Sequence, residues 1–408
     1  MVRALRGGSG SLRAARVVVW LPIGCDNPGM DDSDQGIDRA VAGADFVEWN
    51  FSIMASGSPW RIEEGMTQLL AHQGAEGFGP SLAVAAREDA RVIQELGRRE
   101  TPTAMAALRA FQAMSPVDTQ RELAGLHADR LVRQGVPDPS WASTIGRVRV
   151  EGCWWAHDPF DETAFVLCVF SYDGDDQHGI LAMIDLAVDG GLFRELTLGM
   201  DVEVLRDVLR RADGVDGLVT EPVDPAYARR LFEDAVVTSD EVLEDRDYQP
   251  NPAPAVYRKM RALTLARARA LSIAAAPPDP LPDSVDVELM KRAFLASSFG
   301  AKLPGGDATS QAVDLFVEQL TDRACCHPMR LGPRRVVAAL GLPGLTRDAI
   351  GDPDVSDILL DVVQAWAAWT AAERGLSRDA TERLQRACEQ ACARLRSTGS
   401  GGTAAHLA

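Results

Sequence analysis

The sequence predicts an α+β fold, mostly helical, built around a four-stranded antiparallel sheet, with a separate all-helical C-terminal domain. Three observations carry this. Between Val148 and Leu198 the apolar pattern has the runs and short Asp/Gly-rich turns of strands. On both sides of that stretch the period is helical. The segment Ala276-Pro277-Pro278-Asp279-Pro280-Leu281-Pro282 then holds four prolines in six residues, a stiff extended linker.

Residues 1–44 are rich in Gly, Ser and Asp and read as a disordered leader. Arg3, Arg6, Arg13 and Arg16 precede Val17-Val18-Val19-Trp20-Leu21-Pro22-Ile23-Gly24-Cys25, which mimics an export signal. The apolar run has only seven residues and is broken by Pro22, so export is disfavoured. Residues 45–140 form an N-terminal helical segment. Leu82, Ala86, Ile93 and Leu96 trace one helical face, with Asp89 as its polar exception. Ser115-Pro116-Val117-Asp118 reads as a helix start with Ser115 as cap. That helix carries Leu123, Leu126, Leu131 and Val132, and stops at Gly135.

Residues 141–275 form the sheet domain. Its strands are Val148 to Ala156, Thr163 to Tyr172, His178 to Val188 and Leu192 to Leu198. The turns Asp173-Gly174-Asp175-Asp176 and Asp189-Gly190-Gly191 make neighbouring strands antiparallel. Strands two and three are apolar on both faces, so both faces of the sheet should be covered. Asp201 is a good N-cap for a helix through Leu205, Val208 and Leu209, and Asp224-Pro225 starts another. A basic, Ala-rich helix from Tyr257 to Leu271 precedes the linker, residues 276–284. Residues 285–396 contain helical patterns at Asp286 to Ser298, Ala308 to Ala324, Pro333 to Leu340, Val355 to Arg374 and Ser377 to Arg396. Residues 397–408 are a disordered tail.

The stretch Gly152-Cys153-Trp154, Phe165 to Phe170 and His178 to Asp185 resembles an actinomycete protein family. Glu221-Pro222-Val223-Asp224-Pro225, Ala228 to Leu231, and Phe294-Leu295-Ala296-Ser297-Ser298 are similar to it as well. The resemblance spans roughly residues 140–375 and implies no substrate, cofactor or catalytic residue.

Charge bounds the function. The 408 residues carry a formal net charge of −17, which repels phosphate backbones and anionic membranes. Residues 201–250 hold fourteen carboxylates against six arginines. This favours solubility and, as a sharper reading, a protein partner with a basic surface. Nucleic acid and membrane partners are not expected. Only Lys259, Lys291 and Lys302 are lysines, which leaves few catalytic amines. Seven cysteines, Cys25, Cys153, Cys168, Cys325, Cys326, Cys388 and Cys392, form no CxxC pair and read as reduced, cytoplasmic thiols.

The densest polar cluster is His157-Asp158-Pro159-Phe160-Asp161-Glu162. His157, Asp161 and Glu162, with His178, are candidate metal ligands. His157 and Asp161 are also candidate acid–base groups. Ordinary Asp-Pro turn chemistry explains the cluster more simply. Asp185 lies in an apolar strand on the face of Leu181 and Met183, a catalytic candidate if unpaired. A structural pair with Arg149 or Arg194 is the favoured reading, since an isolated buried charge is too costly. Cys325-Cys326-His327 and Cys388/Cys392 lack zinc-site spacing, and Cys388 and Cys392 extend the apolar face of Leu384 and Leu395. Trp366 and Trp369 read as core anchors. No phosphate loop, dinucleotide fingerprint, nucleophile elbow or HExxH occurs, and no cofactor is evident. The expected function is that of a non-catalytic, acidic, cytoplasmic interaction or regulatory protein. Alternatives are a metal-dependent enzyme with its site around the 157–185 sheet, and a DNA-binding regulator using the Arg-bearing helix 333–341.

Overall fold

A computed structural model describes residues 32–54, 57–71, 81–172, 175–187, 190–244, 253–275, 284–323, 328–341 and 350–398. Residues 17–25, most of the proline linker, Cys325-Cys326-His327 and residues 399–408 lie outside the described residues, while 397 and 398 of the expected tail are helical. Among the described residues, five helices come first: α1 (Asp32–Met54), α2 (Pro59–Leu69), α3 (Leu82–Arg98), α4 (Pro102–Met114) and α5 (Asp118–Arg133). The leader expected through residue 44 therefore includes helical residues, and Ala44 is buried in the N-terminal core. Ser115 does not cap α5. It ends α4, and its hydroxyl donates to Gln120 Oε1 at 2.6 Å, while Val117 occupies the cap position without a side-chain bond. The Ser115 hydroxyl accepts instead from the Val117 amide at 3.2 Å, outside the helix. Leu126, expected on the apolar face of α5, is exposed.

The sheet comprises β1 (Arg149–His157), β2 (Thr163–Tyr172), β3 (Asp175–Asp185), β4 (Leu192–Gly199) and β5 (Val219–Pro222). All neighbours are antiparallel, in the order β4-β3-β2-β1-β5. The expected four strands are thus five. β5 has four residues and ends in proline, too short to show alternation and suited only to an edge. Between β4 and β5 lies α6 (Val202–Ala212), and Asp201 caps it by accepting from the Val204 amide at 3.2 Å, as expected. The chain continues through α7 (Pro225–Glu244) and α8 (Ala253–Ala270).

Both faces of the sheet are covered. Val166, Cys168, Phe170, Ile180 and Ala182 pack against Phe232 and Ala235 of α7 and Tyr257 and Ala268 of α8. Leu167, Val169 and Leu181 pack against Val202, Leu205 and Leu209 of α6. At Gly179 an added Cβ would lie 2.8 Å from Leu205 Cδ1, so glycine allows α6 to approach β3. α8 is shared between layers, since its Leu263 and Ala266 belong to the core of α1–α5.

The remaining helices are α9 (Ser284–Ala296), α10 (Asp307–Glu318, continued as one π-helical turn through Arg323), α11 (Pro333–Leu340), α12 (Pro353–Glu373) and α13 (Arg378–Thr398). They enclose a core of their own. Trp366 and Trp369 pack there with Phe294, and Cys388 and Cys392 line it beside Leu384. Phe160, from the turn between β1 and β2, is the sheet domain's contribution to this core. The C-terminal helices are therefore pinned to one end of the sheet.

Candidate functional site

That end of the sheet holds most of the sequence-predicted site residues. Asp158 makes the turn: its Oδ1 accepts from the amides of Phe160 (2.8 Å) and Glu162 (3.2 Å). Asp161 follows at φ 55°, in the left-handed region that Asp tolerates better than most residues. The turn sends Phe160 and Glu162 toward α11. Helix α11 begins Gly332-Pro333, so no side chain at its cap position can bind its first amides. Glu162 does so from another element. Its two carboxylate oxygens accept from the amides of Arg334 (2.9 Å) and Arg335 (2.7 Å). The fit requires glycine. A Cβ on Gly332 would lie 2.5 Å from Glu162 Cδ and 2.6 Å from Phe160 Cβ. Gly332→Ala is accordingly expected to destabilise the protein by about 1–3 kcal/mol, the cost of overpacking, measured by urea titration.

Arginines complete the joint. Buried Arg335 donates through Nη1 to the carbonyls of Phe160 (3.3 Å) and Arg330 (2.6 Å), and through Nη2 to Asp161 (3.1 Å) and Leu186. Arg374, the residue that ends α12, pairs with Asp161 at 2.8 Å. Asp185, at the end of β3, is 1% exposed. It accepts from Arg194 Nε (2.9 Å) and Nη2 (2.7 Å), Arg334 Nη2 (2.5 Å) and the Ala187 amide (3.1 Å). Arg194 was among the expected partners; Arg149 instead pairs with Glu151.

The electrostatics follow from these contacts. Burial acts against the Asp185 charge, yet hydrogen bonds and attraction from Arg334 and Arg194 hold its carboxyl below the usual range. Burial dominates at Asp158 and Glu162 and pushes both up, despite their backbone donors.

The histidines stand elsewhere. His157 lies opposite Ala164 and His178 opposite Phe170, toward different ends of β2. His157 stacks on Trp155 at 3.9 Å, with its Nε2 3.4 Å from Glu221. His178 is buried beneath α8, where its Nε2 accepts from Arg267 Nε at 2.8 Å. It carries its proton on Nδ1, 3.3 Å from the Asp176 carbonyl. Burial, then the adjacent Arg267 charge, lowers its pKa to about 3. The structure thus gathers Asp161, Glu162 and Asp185 at one joint, and brings neither His157 nor His178 to it. Among the described residues, no group of three His, Cys, Asp or Glu is placed to hold a metal ion.

Sequence reasoning missed Arg334, Arg335 and Arg374 as partners of these acids, and Glu63 and Arg267 altogether. The available signal was that Asp185, within an apolar strand, needs a cation from somewhere. The run Pro333-Arg334-Arg335 was the richest source. On the outer side of α11, a groove of about 470 Å³ runs against α13. Its lining among the described residues includes Arg334, Val337, Ala338, Gln390 and Arg394, and no carboxylate, imidazole, thiol or hydroxyl. No helix among the described residues is long and apolar enough to cross a membrane. No family model, curated protein or solved structure matches the chain.

Proposed function

We propose that this is a non-catalytic interaction or regulatory protein whose C-terminal helical domain is held on the sheet domain by an ionic joint. One observation carries the reading. Asp161, Glu162 and Asp185, the carboxylates with the right chemistry for acid–base or metal work, are each engaged by backbone amides or arginines of the C-terminal helices. Each is thereby committed to a structural contact: Glu162 accepts on both oxygens, Asp185 accepts from two arginines and an amide, and Asp161 pairs with Arg374. The outer groove supports the same reading, because its lining among the described residues offers no acid, base or nucleophile. The Arg-bearing helix is better explained as part of the joint than as a DNA reader, since the Arg334 side chain pairs with Asp185 and the buried Arg335 side chain donates to the carbonyls of Phe160 and Asp161. The partner the charge favours is a protein with a basic surface, drawn by the net −17.

Elemental analysis of protein purified without an affinity tag tests the proposal against the metal-enzyme reading. The expected result is no transition metal above trace amounts, with thermal melts unchanged by chelator. Stoichiometric Zn, Mn or Fe, lost together with stability on chelation, would replace the proposal.

A further inference from the structure

Two thiols that the joint does not use face each other inside the sheet. Cys153 on β1 and Cys168 on β2 are both buried, and both lie on the face beneath α7 and α8. The strand register sets them directly opposite each other. Residues so placed in an antiparallel pair have Cα atoms about 4.5–5.5 Å apart and side chains on one face. A disulfide requires Cα atoms about 4.4–6.8 Å apart. We propose that Cys153 and Cys168 are a redox modification site, a cross-strand dithiol that closes to a disulfide in the folded protein when exposed to a peroxide.

The chemistry balances with hydrogen peroxide as the two-electron oxidant. One sulfur attacks a peroxide oxygen, the O–O bond breaks, and a sulfenic acid and water form. The second sulfur attacks the first, the S–S bond forms, and the sulfenic oxygen leaves as a second water. Two thiols and one peroxide give one disulfide and two waters. A dithiol reductant reverses the bond by thiol–disulfide exchange.

The rate is set by access. The thiolate is the reacting species. The contact with Cys153, then burial, holds the Cys168 thiol well above the usual thiol range. Reaction therefore proceeds through local opening, and the nearby edge strand is the shortest of the sheet. There the four-residue β5 pairs with β1 from Trp154 onward, and the Val223 amide covers the Cys153 carbonyl. Cys388 and Cys392 provide a comparison within the same chain. They are also buried, but sit four apart on α13, with Cβ atoms about 5–6 Å apart. A disulfide needs about 3.5–4.5 Å, so that pair cannot close without distorting its helix.

Closure would bear on the joint, a consequence that rests on the proposed function, although formation of the bond does not. The covalent loop from Cys153 to Cys168 contains Phe160, Asp161 and Glu162. Oxidation would clamp the hairpin that seats the C-terminal helices.

The test is to incubate the folded full-length protein with hydrogen peroxide, then denature it in alkylating reagent and map its peptides by mass spectrometry. The expected product is a Cys153–Cys168 cross-linked peptide, two hydrogens lighter than the reduced pair and restored by dithiothreitol. Cys388 and Cys392 should be recovered alkylated. The oxidised protein should melt higher than the reduced one, and a Cys168→Ser variant should show no such difference. Recovery of Cys153 and Cys168 as alkylated thiols after peroxide treatment overturns the proposal. So does linkage of either to a different cysteine. A failure of the docking reading would show separately, as a cross-link that forms without changing the exchange protection of α11 amides.

Discussion

Glu63→Gln is expected to cost about 3–5 kcal/mol of folding stability, the scale for removing one partner from a buried ion pair. Glu63 and Arg267 are almost wholly inaccessible, and they pair between α2 and α8. Glu63 also accepts from the Tyr172 hydroxyl at 2.5 Å and from the Gly146 amide at 2.7 Å. Arg267 further donates to Tyr172 at 2.8 Å and to His178. The network bonds the N-terminal helices, the sheet and α8 at once. With Glu63 neutralised, the Arg267 charge has no route to water and no compensating anion. The double variant Glu63→Leu/Arg267→Met should recover much of the loss, because the unpaired charge is gone. It should not recover all, since the Tyr172 hydroxyl and Gly146 amide lose their acceptor. Urea titration of the three proteins checks this, and a single variant as stable as the wild type would show that the pair is not buried in solution.

The same network sets a pH dependence. His178 is neutral in the fold, with a pKa near 3 against an ordinary value of 6.5. The unfolded chain therefore takes up the proton first. This contribution to stability is complete above about pH 6.5 and is lost as the pH falls toward 3, by at most about 1.4 kcal/mol per pH unit. Glu162 and Asp158, whose pKa values are raised, act with the opposite sign, gaining relative stability as acid neutralises them. Asp185, held low, loses its contribution only below the usual carboxylate range.

Asp185→Asn should destabilise by about 3 kcal/mol, the lower end of the same scale. Asn keeps an oxygen for the Ala187 amide but removes the charge that Arg194 and Arg334 share. The cost is smaller than at Glu63 because Arg334 is 48% exposed and Arg194 25%, so both can turn to water. Arg334→Met should weaken the protein as well, and the two changes together should cost less than their sum, because they break one contact. Thermal and denaturant melts, with and without chelator, read the outcome. A stable Asp185→Asn protein, with only the wild type losing stability on chelation, would mean that Asp185 holds a metal instead of the joint.

Much of the architecture was legible in the chain. Strands β1–β4, α6, α11 and the last two helices declare themselves through local periodicity, Asp and Pro at helix starts, and Asp/Gly turns. Such signals need only neighbouring residues. The apolar character of β2 and β3 on both faces already required cover on both sides. It also required Asp185 to be paired, for an unpaired buried carboxylate is too costly.

What the sequence determined, then, was which segments become helix or strand and which acids must find a cation. Only the tertiary structure decided which cation. Glu162 meets the amides of residues 334 and 335, Asp161 meets Arg374, and Glu63 meets Arg267, across separations for which no local period exists. The fifth strand was likewise settled by a free edge of β1 and not by its own four residues. The physical reason is the same in each case. Periodicity reports which side of an element is buried, whereas partner choice depends on the distance and direction at which two buried polar groups meet once the layers have packed.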